Sequence, residues 1–212
     1  MPDENRNIIK SPGIVLTRKI SGENNLRVSL FLKDYGIIEP LSTSNKKLFG
    51  ATEPLTLGNF NLEKSQKSGN YFLEEAEILD DFLIFRVTPK KLYIAIEWTK
   101  KIIKNLIPGH PDNLLLANLY YSMELLKNKN IPVNLVDFKF TWKWLNIWGL
   151  APDLINFYVS KNFDQENIKI LLEISILSTK NILNLYSDGS LNHKNDMFAY
   201  AVKLISGFLQ MK

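Results

Sequence analysis

The chain has 212 residues, 45% of them hydrophobic and 23% charged, a composition that folds around an ordinary core and excludes a disordered chain. It holds no cysteine and two histidines, His110 and His193, which excludes disulfides, thiolate nucleophiles and Cys-based zinc sites. The formal net charge is +4, with 10 Lys/Arg against 11 Asp/Glu in residues 1–80 and 16 against 11 in residues 81–212, so the basic excess belongs to the second part.

No run of 18 apolar residues occurs, and Met1-Pro2-Asp3-Glu4-Asn5-Arg6 lacks the basic and apolar regions of a secretory signal. A cytoplasmic protein with no membrane partner is expected. Residues 14–78 read in period two. Ile14 to Ile20 is a first strand, bounded by Pro12-Gly13 and Ser21-Gly22. In the second, Leu26, Val28, Leu30 and Leu32 alternate with Arg27, Ser29, Phe31 and Lys33, which gives an aliphatic core face and a basic, aromatic face opposite. Asp34-Tyr35-Gly36 turns the chain into a third strand, Ile37 to Leu41. After the polar stretch Ser42 to Lys47, the apolar phase of Leu55 to Lys64 switches across Gly58, which predicts a β-bulge there. Tyr71 to Ile78 is the fifth strand. Five short strands predict a small barrel of the OB type over residues 1–80, and an SH3-like barrel shares the pattern.

From Thr88 onward the period is helical. Thr88 is placed to cap and Pro89 to open a helix whose stripe Leu92, Ile96, Ile103 and Leu106 stops at Pro108-Gly109. A second helix is expected from about Asp112 to Lys127, and a third that starts at Pro132 and ends before Gly149. Asp164 caps a fourth that runs to Tyr186, with Phe163 placed to staple against Ile168, and Asn195 to Met211 is a fifth. The third is apolar almost all round, with Phe138, Phe140, Trp142 and Trp144 beside Lys139 and Lys143; such a helix is normally the buried centre of a bundle. The expected fold is therefore α+β, an N-terminal five-stranded OB-type barrel followed by an all-helical domain over residues 81–212.

Catalytic motifs are missing. The glycines form neither a dinucleotide nor a P-loop cradle, and no G-x-S-x-G occurs. The carboxylate pairs Glu74-Glu75 and Asp80-Asp81 read as a solvated hinge rather than an acid/base pair. No enzyme, metal or cofactor is expected.

Several segments, in order, resemble the RecO family of bacterial DNA repair proteins: Gly13-Ile14-Val15-Leu16-Thr17-Arg18 with Gly22-Glu23, Leu30-Phe31-Leu32-Lys33-Asp34-Tyr35-Gly36, Lys46, Lys47 and Phe49 with Glu53-Pro54-Leu55, and Trp148-Gly149-Leu150-Ala151-Pro152-Asp153-Leu154. The last is the most specific, and the resemblance runs from Gly13 to about Gln210. Three departures stand out. Phe157 and Ser160 occupy the places of the first cysteines of the zinc module that many members carry; the basic loop has Leu41, Thr43 and Ser44 at matching places; and the chain has four arginines, Arg6, Arg18, Arg27 and Arg86.

The resemblance implies a recombination mediator that binds single- and double-stranded DNA, anneals complementary strands and works with RecR to load RecA, associated with the nucleoid during repair. The alternative is a DNA-independent adaptor that keeps the fold and its protein contacts. Arg18, Arg27, Phe31, Lys33, Lys46 and Lys47 are the DNA-binding candidates, with Phe31 as a base-stacking platform unless the helical part covers it. By the same resemblance, the helical part docks the acidic C-terminal tail of single-stranded-DNA-binding protein. Its candidates are Lys100, Lys101, Lys104, Lys139, Trp142 and Lys143.

Overall fold

A computed structural model of the chain describes residues 7–22, 25–43 and 46–210, with the backbone alone at Asn7, Thr43, Lys46, Lys47 and Gln210. Met1 to Arg6, Glu23 of the expected Gly22-Glu23 turn, Ser44 and Met211 lie outside the described residues. The chain divides into two compact units, Met1–Leu116 and Ala117–Lys212.

The first unit is a closed barrel. Strand β1 (Asn7–Ile20) pairs antiparallel with β2 (Asn25–Leu32), and β2 pairs with both β3 (Gly36–Ile38) and β4 (Leu41–Thr43). Strand β5 (Leu57–Lys64) lies between β1 and β6 (Tyr71–Asp80), and the parallel pairing of β4 with β6 closes the ring. β3 and β4 are the expected third strand, interrupted at Glu39-Pro40. Proline has no N–H to donate, yet its carbonyl still accepts from Val28 N–H at 3.0 Å. With β3 and β4 counted as one, this is the five-stranded Greek-key barrel of the OB type.

The alternation read in the second strand sets the core. Leu26, Val28, Leu30 and Leu32 point inward and pack with Val15, Ile38, Phe60, Leu62 and Leu73. The polar stretch after β4 includes a one-turn helix, α1 (Lys46–Phe49), whose Leu48 joins this core. The pairing shifts between Leu57 and Gly58, as the phase switch implied, but the extra residue is Leu79 on β6.

Strand gives way to helix after Asp80. Helix α2 (Pro89–Asn105) starts at Thr88, whose side chain makes no capping hydrogen bond, and packs against β1. The following segment is held to the barrel by Gly109 N–H, which donates to the Ile37 carbonyl at 3.0 Å. Gly36 is required here twice over: its φ is +67°, and a Cβ would collide with the backbone of His110.

Helix α3 (Asn113–Lys127) carries the chain into the second unit, with Asp112 Oδ1 accepting from Leu115 N–H at 2.9 Å. Helix α4 (Val133–Ile147) buries Phe138, Phe140, Trp142 and Trp144 and packs chiefly on α8 (Asn195–Ile205). Gly149, at φ +66°, ends α4, and Leu150 N–H reaches back to Leu145 at 2.8 Å. Asp153 then accepts from Asn156 N–H and caps α5 (Leu154–Val159), a short helix in a stretch expected to be irregular.

Two further expectations are corrected. The fourth helix is two, α6 (Gln165–Ile176) and α7 (Thr179–Tyr186), because Leu177 is extended and Ser178 caps anew by accepting from Asn181 N–H at 3.2 Å. The last helix ends at Ile205 and tightens into the 3₁₀ turn Ser206–Gln210. The expected cap at Asp164 is present, accepting from Asn167 N–H at 2.7 Å.

Gly36→Ala is expected to destabilise the protein by about 2–4 kcal/mol, from left-handed strain plus overpacking. Gly69→Ala, also at positive φ but with nothing within 4 Å of its Cβ, should cost about 1–2 kcal/mol. Urea midpoints of the two variants check the ordering.

Candidate nucleic-acid interface

The register that closes the barrel also aligns a row of side chains across its outer surface. Lys19 of β1 opposes Arg27 of β2, Arg27 opposes Leu41 of β4, and Leu41 is in register with Phe72 of β6. Arg27 and Phe72 alternate with the core residues Leu26, Val28 and Leu73, and Lys19 and Leu41 are in register with them, so all four face out. Lys19, Arg27 and Phe72 are exposed and Leu41 is half-buried. At about 4.8 Å per strand the row is about 14 Å long. It runs from beside the β1–β2 turn to beside the β5–β6 turn, the two turns that flank the binding face of OB folds. Directly opposed like charges such as Lys19 and Arg27 are unfavourable across a strand pair. Glu39 offsets this weakly, at 3.8 Å from Arg27. An anion laid over the row relieves it further.

The barrel residues proposed from sequence do not all meet at this row. Arg27 is in it. Phe31 shares the outer face but is wholly buried, in a second row with Ile14 and Ile37. Its ring is not presented to a base. Lys33 is exposed but lies six residues along from Arg27, about 20 Å away at strand rise. Arg18 falls in the inward phase at the other end of β1. Its guanidinium pairs with Glu53 at 2.5 Å and stacks 4.4 Å over Phe49, so its charge is already matched. Lys46 and Lys47 stand in α1, and their side chains lie outside the described residues.

Sequence reasoning missed Lys19 and Phe72, together with Lys64 and Lys67 at the β5–β6 turn. Lys64 lies 5.4 Å from the Tyr71 ring, and Lys67 is exposed. The signal was the phase of the fifth strand: Leu73 is inward, which sends Phe72 out. The neighbouring outer face is acidic. Glu75 and Glu77 accept from Asn61 and Asn59 across the β5–β6 pair at 3.0 and 2.9 Å, and Glu74 is exposed beside them.

The peptide-docking candidates fall on both units. On α2, Lys100 and Lys104 are exposed and Lys101 is half-buried, with Lys100 bonded to Glu97 at 2.7 Å. On α4, Lys143 is exposed, while Trp142 is nearly buried and stacks on Phe138 with ring centroids 6.4 Å apart. Lys139 is turned inward. Its Nζ donates to the carbonyls of Ile174 and Ser175 at 3.1 and 2.8 Å, occupying the free C-terminal carbonyls of α6. It is not presented to a peptide carboxylate.

Two curated proteins are similar to this chain. DNA repair protein RecO of Caldanaerobacter subterraneus subsp. tengcongensis is 22% identical over 150 residues, and DNA repair protein RecO of Bacillus pumilus is 26% identical over 151. The chain is a weak, partial relative of RecO-named proteins. Each match covers 69% of this chain and 60% and 58% of the two relatives, so the chain spans less than two thirds of their length. No protein-family model matches it.

The row itself holds cations and a ring, groups that bind and stack. Among the described residues no group of three or more His, Cys, Asp or Glu is placed to hold a metal ion, and no helix is long and apolar enough to cross a membrane.

Burial, with the nearby charge of Lys143, pushes the Lys139 ammonium down from 10.5 to about 8. Between pH 8 and 10.5 the unfolded chain holds a proton that the folded chain has released. Folding stability therefore rises with pH across that window, and the cost of the buried charge is full below it. Relative to a Lys139→Met variant, the parent should gain stability between pH 7.5 and 9.5. Denaturant midpoints measured in parallel on both proteins check this.

Proposed function

We propose that the protein is a RecO-like DNA repair mediator that binds single-stranded DNA across the open row of its barrel. The observation that carries this reading is the row Lys19, Arg27, Leu41 and Phe72, two cations and an exposed ring in register between the two turns. The similarity to two RecO-named proteins supports it. Lys19 and Arg27 take phosphates and release counterions, which makes affinity fall steeply with salt. Phe72 takes the face of any base, which makes binding tolerant of sequence. Bases held by a face keep their pairing edges free, the condition for annealing a complementary strand. Duplex DNA binds through the same cations. A RecR-type partner, and the loading of RecA onto DNA covered by single-stranded-DNA-binding protein, complete the proposed role. The surface cations proposed to receive that protein's acidic tail are Lys100, Lys101 and Lys104 on the first unit and, as a separate candidate, Lys143 on the second.

A second reading, a DNA-independent adaptor, is favoured by the acidic β5–β6 face and by the matching of Arg18 with Glu53.

Titration of a labelled single-stranded oligonucleotide at about 50 and about 200 mM salt separates the two readings. A Lys19→Glu/Arg27→Glu variant is expected to bind at least tenfold more weakly, with the salt slope reduced by about 1.4. Phe72→Ala should weaken base-bearing oligonucleotide by about 5- to 150-fold, whereas Phe31→Ala should lower stability first. Parent-like binding by the double charge variant would remove the row from the interface. No binding by the parent at low salt would favour the adaptor.

A further inference from the structure

The second unit carries an open cavity of about 230 Å³ lined by Phe163, Met197 and Tyr200 together with Lys161, Asn162 and Asp164. We infer that this cavity is a second nucleobase-binding site, in which one base of a single strand stacks on Tyr200 while Lys161 and Lys203 hold the flanking phosphates. The inference rests on the reading that the protein binds single-stranded DNA.

Shape, charge and polar lining each point to that occupant. The Phe163 and Tyr200 rings are stacked with centroids 5.5 Å apart and planes 7° from parallel. They end a ladder of rings in which Phe208, Phe157, Tyr158 and Phe163 follow one another at 5.4, 5.2 and 4.8 Å. Tyr158 is buried and anchors the ladder, its hydroxyl 3.4 Å from the Ala201 carbonyl. Tyr200 is 50% exposed, so the stacked pair that it forms with Phe163 ends in an open ring. A flat group completes it. The cavity is smaller than the roughly 300–1,000 Å³ of sites that enclose drug-sized ligands, so it admits a ring and leaves the sugar and phosphate outside.

Two cations there stay unpaired, beside the one carboxylate of the lining, Asp164, which hydrogen bonds engage without neutralising. Both Asp164 oxygens accept from Asn167, its N–H and its Nδ2, each at 2.7 Å. Glu166 is paired with Lys194 at 3.0 Å. Lys161 and Lys203 are exposed and have no carboxylate partner among the described residues, and Lys203 follows Tyr200 by three residues on α8. Lys161 lies 5.9 Å over the Phe157 ring. Aromatic rings interleaved with unpaired cations are the chemistry of single-strand binding. Asn162, held at φ +61°, places an unpartnered amide in the lining, a group suited to the edge of a base. An open cavity lined by amides as well as rings suits a base better than the aromatic end of an acidic peptide, which favours a deep apolar pocket.

The test uses the full chain and two labelled strands of equal length, one with bases and one abasic. Tyr200→Ala should bind the base-bearing strand about 5- to 150-fold more weakly and the abasic strand like the parent, and Tyr200→Phe should restore the difference. Lys161→Glu/Lys203→Glu, confined to exposed side chains, should weaken both strands and lower the salt slope by about 1.4. If Tyr200→Ala and the charge variant both bind like the parent while Phe72→Ala still binds weakly, the cavity proposal is overturned and the barrel reading stands. If an acidic peptide ending in phenylalanine binds the parent, and Tyr200→Ala loses that peptide but not the strand, the cavity is a peptide site and the proposal is wrong. If the parent binds neither strand at low salt, the DNA reading fails and the cavity proposal with it.

Discussion

Strand β1 serves two partners, and the barrel depends on that. Its first half pairs with β5 and its second with β2, and the two registers overlap at Gly13 and Ile14. At Gly13 a side chain would collide with the Phe31 carbonyl and with Leu32, so the strands approach closely enough only because the residue is glycine. Just beyond, the pairing with β2 shifts between Val15 and Thr17. Such a bulge bends and twists the strand, which lets one ribbon leave β5 and join β2. The bulge is held from the side: Leu55 N–H donates to the Val15 carbonyl at 2.8 Å, and Val15 N–H donates to the Thr56 carbonyl at 2.9 Å. Leu55 takes a φ of +73° to do so, a conformation that costs of order 1–3 kcal/mol and persists where surrounding structure demands it.

The same register decides what faces out. A slip of one residue would exchange the faces of β2 and send its four leucine and valine side chains into solvent. With the register fixed, the outer face divides along its length. At one end Ile14, Phe31 and Ile37 are buried, and the Gly109 bond to Ile37 of β3 lies at this end. At the other end Lys19, Arg27 and Phe72 stay open. An open β-barrel face with cations and one ring carries the groups that the proposed binding of a flexible polyanion needs, and the acidic face of β5 and β6 would keep such a ligand to one side.

The helical unit is organised around α4, whose aromatic side chains are buried almost all round. Phe140, Trp144 and Trp148 meet edge to face at 5.6 and 5.1 Å, and Phe138 packs on Phe198 of α8 at 6.1 Å. A lysine within this core is costly unless its donors are satisfied. Lys139 finds its partners at the end of α6, where a helix leaves carbonyls without intrahelical bonds. The break between α6 and α7 and the burial of Lys139 are thus one feature: the helix stops where a side chain 35 residues away takes over its carbonyls.

Much of the fold was legible because periodicity and capping are local. Alternation in Leu26 to Lys33 fixed which side chains enter the barrel core, the phase switch at Gly58 marked a bulge, Gly149 ended α4, and Asp164 opened α6. The candidate site was legible only in part. Sequence assigned Arg27 and Phe31 to one outer face, and they do share it. Which outer positions are covered depends on chain far away: the segment around Gly109 and His110, more than 70 residues beyond Phe31, lies against β3. Phe72 entered the row through a parallel pairing between strands 30 residues apart, which no local pattern encodes. Lys139 and Lys143 look alike in sequence, one turn apart on one helix. Only packing decided that one is drawn onto the α6 carbonyls and the other meets solvent, because burial is a property of what surrounds a residue and not of its neighbours along the chain.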